Sequence, residues 1–157
     1  GSILIFAKTK IGVDKLVKKL KASSIKASAL HGGMRQNKRS KIMQNFRDER
    51  FRILVATDIA SRGLDVPHIE HIINYDMPQA PEDFIHRIGR TARAGSVGEA
   101  VSFLTQKDTR IWRSIERLLN KEESKRKIGN SKNEYTSKFK NKKRRRSTTK
   151  KKVGGRN

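Results

Sequence analysis

The sequence predicts an α/β fold: a parallel sheet flanked by helices on both faces and followed by a disordered basic tail. Short apolar runs recur along the first part of the chain and alternate with longer amphipathic stretches, which is the pattern of a sheet covered by helices. From residue 121 onward, 16 basic residues accompany only 3 acidic ones, and apolar residues are too sparse to bury a core. We therefore expect one domain over residues 3–120 and a disordered basic tail over residues 121–157.

The first half of the domain is predicted to contain three strands and two helices. The strands are expected at Ile3–Ala7, Ala27–Leu30 and Ile53–Ala56. The first helix shows the i, i+3, i+4, i+7 spacing of one buried stripe, formed by Val13, Leu16, Val17 and Leu20. The second helix begins near Gln36, and its predicted inner face comprises Ile42, Met43 and Phe46.

The second half is predicted to add two strands and two helices. The strands are expected at Ile69–Tyr75 and Ala100–Leu104. Between them, Pro81 followed by Glu82 and Asp83 predicts a helix start, because proline suits the first position and carboxylates suit the positive end of the helix dipole. The predicted inner faces comprise Phe84, Ile85 and Ile88 on this helix, and Ile111, Ile115, Leu118 and Leu119 on the last one.

Polar and glycine-rich residues follow four of the predicted strands. In strand order these residues are Lys8-Thr9, His31-Gly32-Gly33, Thr57-Asp58 and Asp76-Met77-Pro78. Open parallel sheets bind ligands where their strands end at the carboxyl edge. We therefore expect these four loops to gather along one rim and to form a binding site there.

The segment HRIGRTARAG sets Arg87, Arg90 and Arg93 three residues apart, on roughly one side of a helix or helical turn. Like charges at this spacing oppose helix formation by a few tenths of a kcal/mol per pair, so stability alone does not favour them. Rigid guanidinium groups stabilise the negative charge that spreads over a terminal phosphate during its transfer. The arginine cluster is therefore a candidate site for a nucleotide phosphate.

Two other interpretations of the arginine cluster stay open at this point. The arginines could pair with acids such as Glu82 or Glu99 on the surface of a helix. They could also form a basic strip that binds nucleic acid.

Two further segments carry residues suited to phosphates. ATDIASRGLD, Ala56–Asp65, turns at Gly63, where bare backbone can approach a phosphate or a sugar closely. LHGGMRQNKR, Leu30–Arg39, offers two glycines and then Gln36 and Arg39 on the first turns of a helix, which suits a sugar-phosphate backbone. By itself the second segment is equally consistent with a turn followed by a solvated helix. The dipeptide Gly-Lys never occurs, so the chain contains no P-loop.

Taken together, ILIFAKT, HGGMRQNKR, ATDIASRGLD and HRIGRTARAG resemble motifs IV, IVa, V and VI of the DEAD-box RNA helicases, in that order and at that separation. The resemblance extends from Ile3 to about Leu119. It implies a RecA-like fold, namely the second, C-terminal lobe of a two-lobed helicase core.

The resemblance also implies roles for individual residues. Arg90 and Arg93 would act catalytically, as arginine fingers on the ATP γ-phosphate, with Arg87 beside them and Asp65 on the ribose. The residues implied to bind RNA are Thr9, His31, Gly32, Gly33, Gln36, Arg39, Thr57, Arg62 and Gly63. Arg62, His86 and Arg87 would couple the two lobes, and no metal ligand is implied in this chain.

The sequence departs from the family pattern in two respects. Ala92 stands where most members have glycine, which we expect to be mild because the arginines keep their spacing. The motifs of the first lobe do not occur: there is no Q motif, Walker A, DEAD tetrapeptide or Ser-Ala-Thr. We therefore expect Mg²⁺ to be held mainly by that missing N-terminal lobe and this chain alone to lack ATPase activity.

Composition bounds the partners and the location. With 38 Lys and Arg against 15 Asp and Glu, the formal charge of +23 favours RNA or another polyanion. The chain has no cysteine and no apolar run long enough to span a membrane. We expect a monomeric protein of the cytoplasm, or of the nucleus or nucleolus in a eukaryote, where KKRRR could act as an address. Gly1-Ser2 is interpreted as the remnant of an expression tag.

The leading hypothesis is the C-terminal lobe of an ATP-dependent RNA helicase, whose partners would be RNA, ATP and the N-terminal lobe. The alternative is a non-catalytic RNA-binding module of helicase-like fold. A DNA helicase is less favoured, because related DNA helicases usually carry glutamine at the position of His86.

Overall fold

A computed structural model of the chain describes residues 1–62, 64, 66, 69–91 and 98–123. The strands of this part form one parallel sheet in the order β2-β3-β1-β4-β5. Their bounds are Ser2–Phe6 for β1, Ala27–Leu30 for β2, Ile53–Ala56 for β3, Ile69–Asn74 for β4 and Glu99–Ser102 for β5. All five predicted strands and their parallel direction are thus confirmed, with ends that differ by one or two residues.

Strand β1 begins earlier than the sequence predicts. Ser2, which we had excluded from the fold, is only 6% exposed and pairs with Ile69 of β4. At the other end, the amide of Ala7 still donates to the carbonyl oxygen of Ala56 at 3.0 Å, although the strand ends at Phe6. The excluded serine therefore takes part in the sheet.

Helices occur at the four places that the sequence predicts, and a short helix that the sequence did not predict follows the third strand. They are α1 at Lys10–Ala22, α2 at Gln36–Arg47, α3 at Asp58–Ser61 and α4 at Pro81–Ile88, and residues 109–123 form α5. The side chain of Thr9 caps α1 by accepting a hydrogen bond from the amide of Gly12 at 3.0 Å. Pro81 occupies the start of α4, as its fixed backbone angle favours.

Two apolar clusters cover the two faces of the sheet. On one face, Val13 and Val17 of α1 pack against Ile5 and Val55. On the other face, Phe46 of α2 packs against a cluster that includes Leu4, Phe6, Leu30, Leu54 and Ile72. The prediction of helices on both faces is therefore confirmed, and the ends of β1 to β4 are held in fixed positions by these two layers.

The last described segment is a capped helix. The side chain and the amide of Thr105 both donate hydrogen bonds to the Asp108 carboxylate, at 2.6 and 2.9 Å, and they lower the pKa of Asp108. On α5, Ile115 is buried and Ile111, Leu118 and Leu119 are partly buried.

Contacts divide the chain into two compact units, Gly1–Glu116 and Arg117–Asn157. In the second unit the structure describes only residues 117–123, which are helical, so the predicted domain boundary after residue 120 falls inside a helix. The predicted disorder of the tail beyond residue 123 lies outside the described residues. No helix in the described part of the chain is both long and apolar enough to traverse a bilayer.

Candidate nucleotide and RNA site

A cleft of about 510 Å³ lies at the carboxyl edge of the sheet. Its lining comes from the segments that follow β1, β2, β3 and β4, in agreement with the rim that the sequence predicts. Residues of these segments that line the cleft include Lys8, Lys10, Gly32, Gly33, Thr57, Asp58, Met77 and Pro78. The sheet thus brings together residues that are far apart in the sequence.

Positive charge dominates the cleft. Lys8 and Lys10 are exposed there, and Arg62 lies on the opposite side with 72% of its side chain exposed. The carboxylate of Asp58 is paired with Arg87, and that of Asp83 lies 3.9 Å from Arg62. A lining with exposed cations and pre-paired acids is suited to an anionic ligand.

Glycines make part of the cleft wall bare backbone. A Cβ added to Gly32 would meet nothing within 4 Å, so this wall is open to a ligand. A Cβ added to Gly33 would lie 3.3 Å from Nδ1 of His31 and 3.5 Å from Cδ of Lys10. Larger residues at position 33 would therefore crowd the wall between these two side chains.

Six of the residues predicted to bind RNA fall into two groups, one in the cleft and one on α2. Gly32, Gly33, Thr57 and Arg62 line the cleft directly. Gln36 and Arg39 stand on the first turn of α2 and are joined by a hydrogen bond from Nη1 of Arg39 to Oε1 of Gln36 at 3.3 Å. The Nε atom of Arg39 is buried and has no hydrogen-bond partner in the part of the chain that the structure describes.

Two other residues predicted to bind RNA, Thr9 and His31, have hydrogen-bond partners inside the domain, and their contact with RNA stays a prediction. The hydroxyl of Thr9 accepts the capping bond of α1. His31 is only 7% exposed, and its Nε2 lies 3.1 Å from Oδ1 of Asp14, which accepts its hydrogen bond. The structure therefore places His31 beneath the glycine wall, where it positions the loop.

Arg87 requires a correction, because it does not project from the domain. It is 2% exposed, and its Nε and Nη2 donate to the two carboxylate oxygens of Asp58 at 2.7 and 2.8 Å. Its Nη1 donates to Oδ1 of Asn74 at 3.0 Å and to the carbonyl oxygen of Asp76 at 2.7 Å, and its guanidinium lies 4.7 Å from the ring centroid of Phe6.

These partners give Arg87 a positioning role inside the domain. Four donated hydrogen bonds leave almost none of its five N–H groups for a ligand. The expectation that Arg87 contacts the nucleotide is therefore replaced: Arg87 ties α4 to the ends of β3 and β4. Its role in coupling the two lobes stays a prediction.

Arg90 differs from Arg87 in its surroundings. Helix α4 ends at Ile88, and a further helical turn follows, in which the amide of Arg90 donates to the carbonyl oxygen of Arg87 at 3.0 Å. Among the described residues, its guanidinium makes one long hydrogen bond, from Nη1 to the carbonyl oxygen of Leu64 at 3.3 Å. Its remaining donors have no hydrogen-bond partner among the described residues.

Arg62, His86 and Arg90 meet beside Arg87 in a small pocket between α3 and α4. The carboxylate of Asp83 lies 3.9 Å from both Nη2 of Arg62 and Nδ1 of His86. The sequence assigned Arg62 and His86 to coupling, and the structure brings them to one place. Gly63, Asp65 and Arg93, the other residues predicted in this region, lie outside the described residues.

Sequence reasoning missed Asn74 and Thr91, which help to build the site, and it placed Asp76 at the rim without predicting its contact with Lys8. Asn74, which is fully buried, accepts from Arg87 and donates to the hydroxyl of Ser102 at 3.0 Å. Asp76 accepts from the amide of Lys8 at 2.8 Å through its side chain. Thr91 is 7% exposed, and its hydroxyl lies 2.7 and 2.9 Å from the carbonyl oxygens of Ile69 and Glu70. An amide at the end of a buried strand was the available signal for Asn74.

Replacing Thr91 by valine should lower the free energy of unfolding by about 1 kcal/mol, because the shape is kept while a buried hydrogen bond from the hydroxyl is lost. Urea denaturation measures this change. Thr109→Val is the matched control: its exposed hydroxyl donates to the carbonyl oxygen of Gln106, and we expect a smaller loss. Equal losses for the two variants would contradict a special role of Thr91 in anchoring the Arg90 turn.

The described residues contain no cluster of three or more His, Asp or Glu side chains that could hold a metal ion.

Comparison with known proteins gives consistent matches. The family described as helicase conserved C-terminal domain matches residues 1–95. An ATP-dependent RNA helicase, DBP8 of Candida glabrata, is 46% identical over 120 residues, which are 76% of this chain and 28% of that protein. The chain thus spans roughly a quarter of the length of the curated relatives that it matches.

Two solved structures show the same fold. The DEAD-box protein SrmB of E. coli, bound to a regulator of ribonuclease activity, aligns with a TM-score of 0.70 and 36% identity over 74% of this chain and 69% of that chain. S. cerevisiae Dbp5 bound to RNA and ADP BeF3 aligns with a TM-score of 0.71 and 37% identity, over 74% of this chain and 32% of that chain.

Proposed function

Since the chain belongs to the DEAD-box RNA helicase family and matches the C-terminal, RecA-like domain of its members, we propose that it binds RNA along its cleft. We also propose that it completes an ATP site between two lobes. The observation that carries the proposal is the composition of the cleft. Exposed cations face a wall of bare glycine backbone at the carboxyl edge of the sheet. Such a surface can follow a sugar-phosphate backbone without reading bases.

The start of α2 supports the RNA assignment. The hydrogen bond between Gln36 and Arg39 fixes both side chains on the first turn of the helix, beside the glycine wall of Gly32 and Gly33. Backbone N–H groups of a first turn attract anions, and a guanidinium one turn into the helix adds a charge-assisted hydrogen bond. The relative Dbp5 was observed bound to RNA, which agrees with this use of the fold.

The nucleotide assignment depends on Arg90 in the described part of the chain. Its guanidinium has only one long internal hydrogen bond, so it can turn its donors toward a phosphate oxygen without breaking a strong contact. When bound, ATP supplies the phosphoryl group that is transferred to water. Arg90 and Arg93 would stabilise the negative charge on the phosphoryl group during its transfer. Asp65 would bind the ribose. We propose that Mg²⁺ is held mainly by the other lobe.

Coupling between the two ligands is proposed to pass through α3 and α4. Asp58 follows the strand end that lines the RNA cleft, and Arg87 joins it rigidly to the helix that precedes Arg90. Arg62 and His86, held near Asp83, face out beside this connection. RNA and ATP would each raise the affinity for the other if both bind the closed arrangement of the lobes more tightly than the open one.

Replacing Arg39 by glutamine should weaken RNA binding by the 157-residue chain. One phosphate contact on a single strand contributes a slope of about 0.7 in the salt dependence, which is roughly a fivefold affinity at 0.1 M salt. Titration of a labelled uridine oligonucleotide at several salt concentrations measures both quantities. Arg47→Gln, at the other end of α2, removes the same charge and should leave both nearly unchanged. A larger effect of Arg47→Gln would refute the placement of RNA at the first turn.

A further inference from the structure

Helix α1 presents exposed lysines that, apart from Lys10, do not line the cleft described above. Its buried stripe is formed by Val13 and Val17, with Leu16 and Leu20 at its edges. The rest of the helix surface carries five exposed lysines, which we call the α1 lysine face: Lys10, Lys15, Lys18, Lys19 and Lys21. By helical spacing, Lys15, Lys18 and Lys19 lie opposite the stripe and Lys10 and Lys21 lie beside it. Spacings of three and four residues bring several of these cations next to one another on the helix surface.

The α1 lysine face makes no ion pair with the carboxylates of the described residues. Asp14 is the one carboxylate on α1, and its Oδ1 accepts the hydrogen bond from Nε2 of the buried His31. In the part of the chain that the structure describes, no lysine of this face lies within 4.0 Å of a carboxylate oxygen. The first turn also lacks an acid and instead carries Lys10 at the positive end of the helix dipole. Lys10 is therefore unfavourably placed in an isolated helix, whereas Lys19 and Lys21 in the last turn suit the negative end of the dipole. An external anion would relieve the repulsion between neighbouring lysines.

The α1 lysine face is continuous with the cleft. Lys8 and Lys10 line the cleft, and Lys10 is also the first residue of α1. From there the helix carries its lysines away from the rim for about 16 Å, at about 1.5 Å per residue. Ile11 stands among them with 59% of its surface exposed, and it offers an apolar contact to a ribose or a base.

We propose that the α1 lysine face is a second RNA-binding surface, which holds the strand that leaves the cleft. The inference rests on the proposed RNA cleft and extends it. RNA fits this face better than a protein partner does, since the face begins at the RNA cleft and presents a line of cations without a broad apolar patch.

A charge-neutral double variant, Lys18→Gln/Lys21→Gln, tests the proposal in the 157-residue chain. Glutamine keeps the helix propensity of lysine, so the circular dichroism spectrum should not change. The control, Arg47→Gln/Arg50→Gln, removes two exposed positive charges beyond α2, on the other face of the sheet. Binding is measured with two uridine oligonucleotides, one that spans only the cleft and one long enough to pass Lys21.

We expect the Lys18/Lys21 variant to bind the long oligonucleotide roughly 25-fold more weakly at 0.1 M salt, with a salt slope reduced by about 1.4 for two lost phosphate contacts. Its affinity for the short oligonucleotide should stay within twofold of the wild type. The control variant should retain the affinity for both. Equal weakening by the two variants would show an effect of net charge alone and would overturn the proposal.

An unchanged affinity of the Lys18/Lys21 variant for the long oligonucleotide would also overturn the proposal. Failure of the cleft itself is distinguishable, because Arg39→Gln would then leave the binding of the short oligonucleotide unchanged. That result would contradict the proposed RNA cleft. The results with the long oligonucleotide test the α1 lysine face.

Discussion

Replacing Arg87 by alanine should lower the free energy of unfolding by about 3 kcal/mol, since it leaves a partly buried carboxylate without its partner. The variant loses both charge-assisted bonds to Asp58, the bond to Asn74 and the bond to the Asp76 carbonyl oxygen. Its cation-π contact with Phe6 is lost as well. Urea denaturation of the 157-residue chain measures the change.

A double-mutant cycle separates the ion pair from the rest of this loss. Asp58→Asn should cost less than Arg87→Ala, because the Asp58 side chain is 30% exposed and water can replace part of its solvation. The double variant should lose less than the sum of the two single losses, since the same pair is broken in each. Additive losses would contradict the internal role of Arg87 and restore the expectation that it faces a ligand.

The strands could be predicted because short apolar runs mark them, and the rim could be predicted because the strands are parallel. Four apolar runs end in polar or glycine-rich loops, and a parallel sheet necessarily gathers such ends at one edge. The lining of the cleft by Gly32, Thr57 and Met77 confirms that step. The direction of the strands was enough to predict that these loops meet, without knowledge of any side-chain contact.

The arginine cluster could not be resolved in the same way. A spacing of three predicts a shared side only while the helix continues, and α4 ends at Ile88, between Arg87 and Arg90. Arg87 is also flanked by Phe84 and Ile88, which places it next to the apolar stripe of the helix. Its partner Asp58 lies 29 residues earlier, and a sequence pattern alone does not reveal so distant a pairing.

His31 illustrates the same limit on the other side of the cleft. It follows a strand and precedes two glycines, which is the position of a ligand-binding residue. However, Asp14 of α1 accepts its hydrogen bond, and the ring is covered as a result. Packing between α1 and the loop after β2 decides whether this side chain faces the ligand or supports the wall.

The contrast between Arg87 and Arg90 assigns them different tasks. Arg87 donates four hydrogen bonds inside the domain, whereas Arg90, one turn farther along the chain, donates one long side-chain hydrogen bond to the described residues. An arginine that acts on phosphate has to be held in place by its backbone while its guanidinium stays uncommitted. The anchoring of the preceding helix by Arg87 and of the following residue by Thr91 provides such support.

In a protein that joins this domain to an N-terminal lobe, Arg90→Ala should slow RNA-stimulated ATP hydrolysis by about 10³-fold, as loss of an arginine finger does. The same change in Arg93, whose surroundings lie outside the described residues, is expected to have an effect of similar size. The rate is measured by phosphate release at saturating ATP and RNA. Arg113→Ala, on the exposed side of α5, is the matched control and should keep the rate within twofold.

RNA affinity and stability distinguish a phosphate contact from a structural one. Among the described residues the Arg90 guanidinium makes one hydrogen bond, 3.3 Å long, to the Leu64 carbonyl oxygen, so we expect its removal to change the free energy of unfolding by less than about 1 kcal/mol. RNA affinity without nucleotide should also be retained, because Arg90 does not line the RNA cleft. If the Arg90 variant kept its hydrolysis rate but bound RNA more weakly, the assignment of Arg90 to the nucleotide would be wrong, and Arg90 would be assigned to RNA binding.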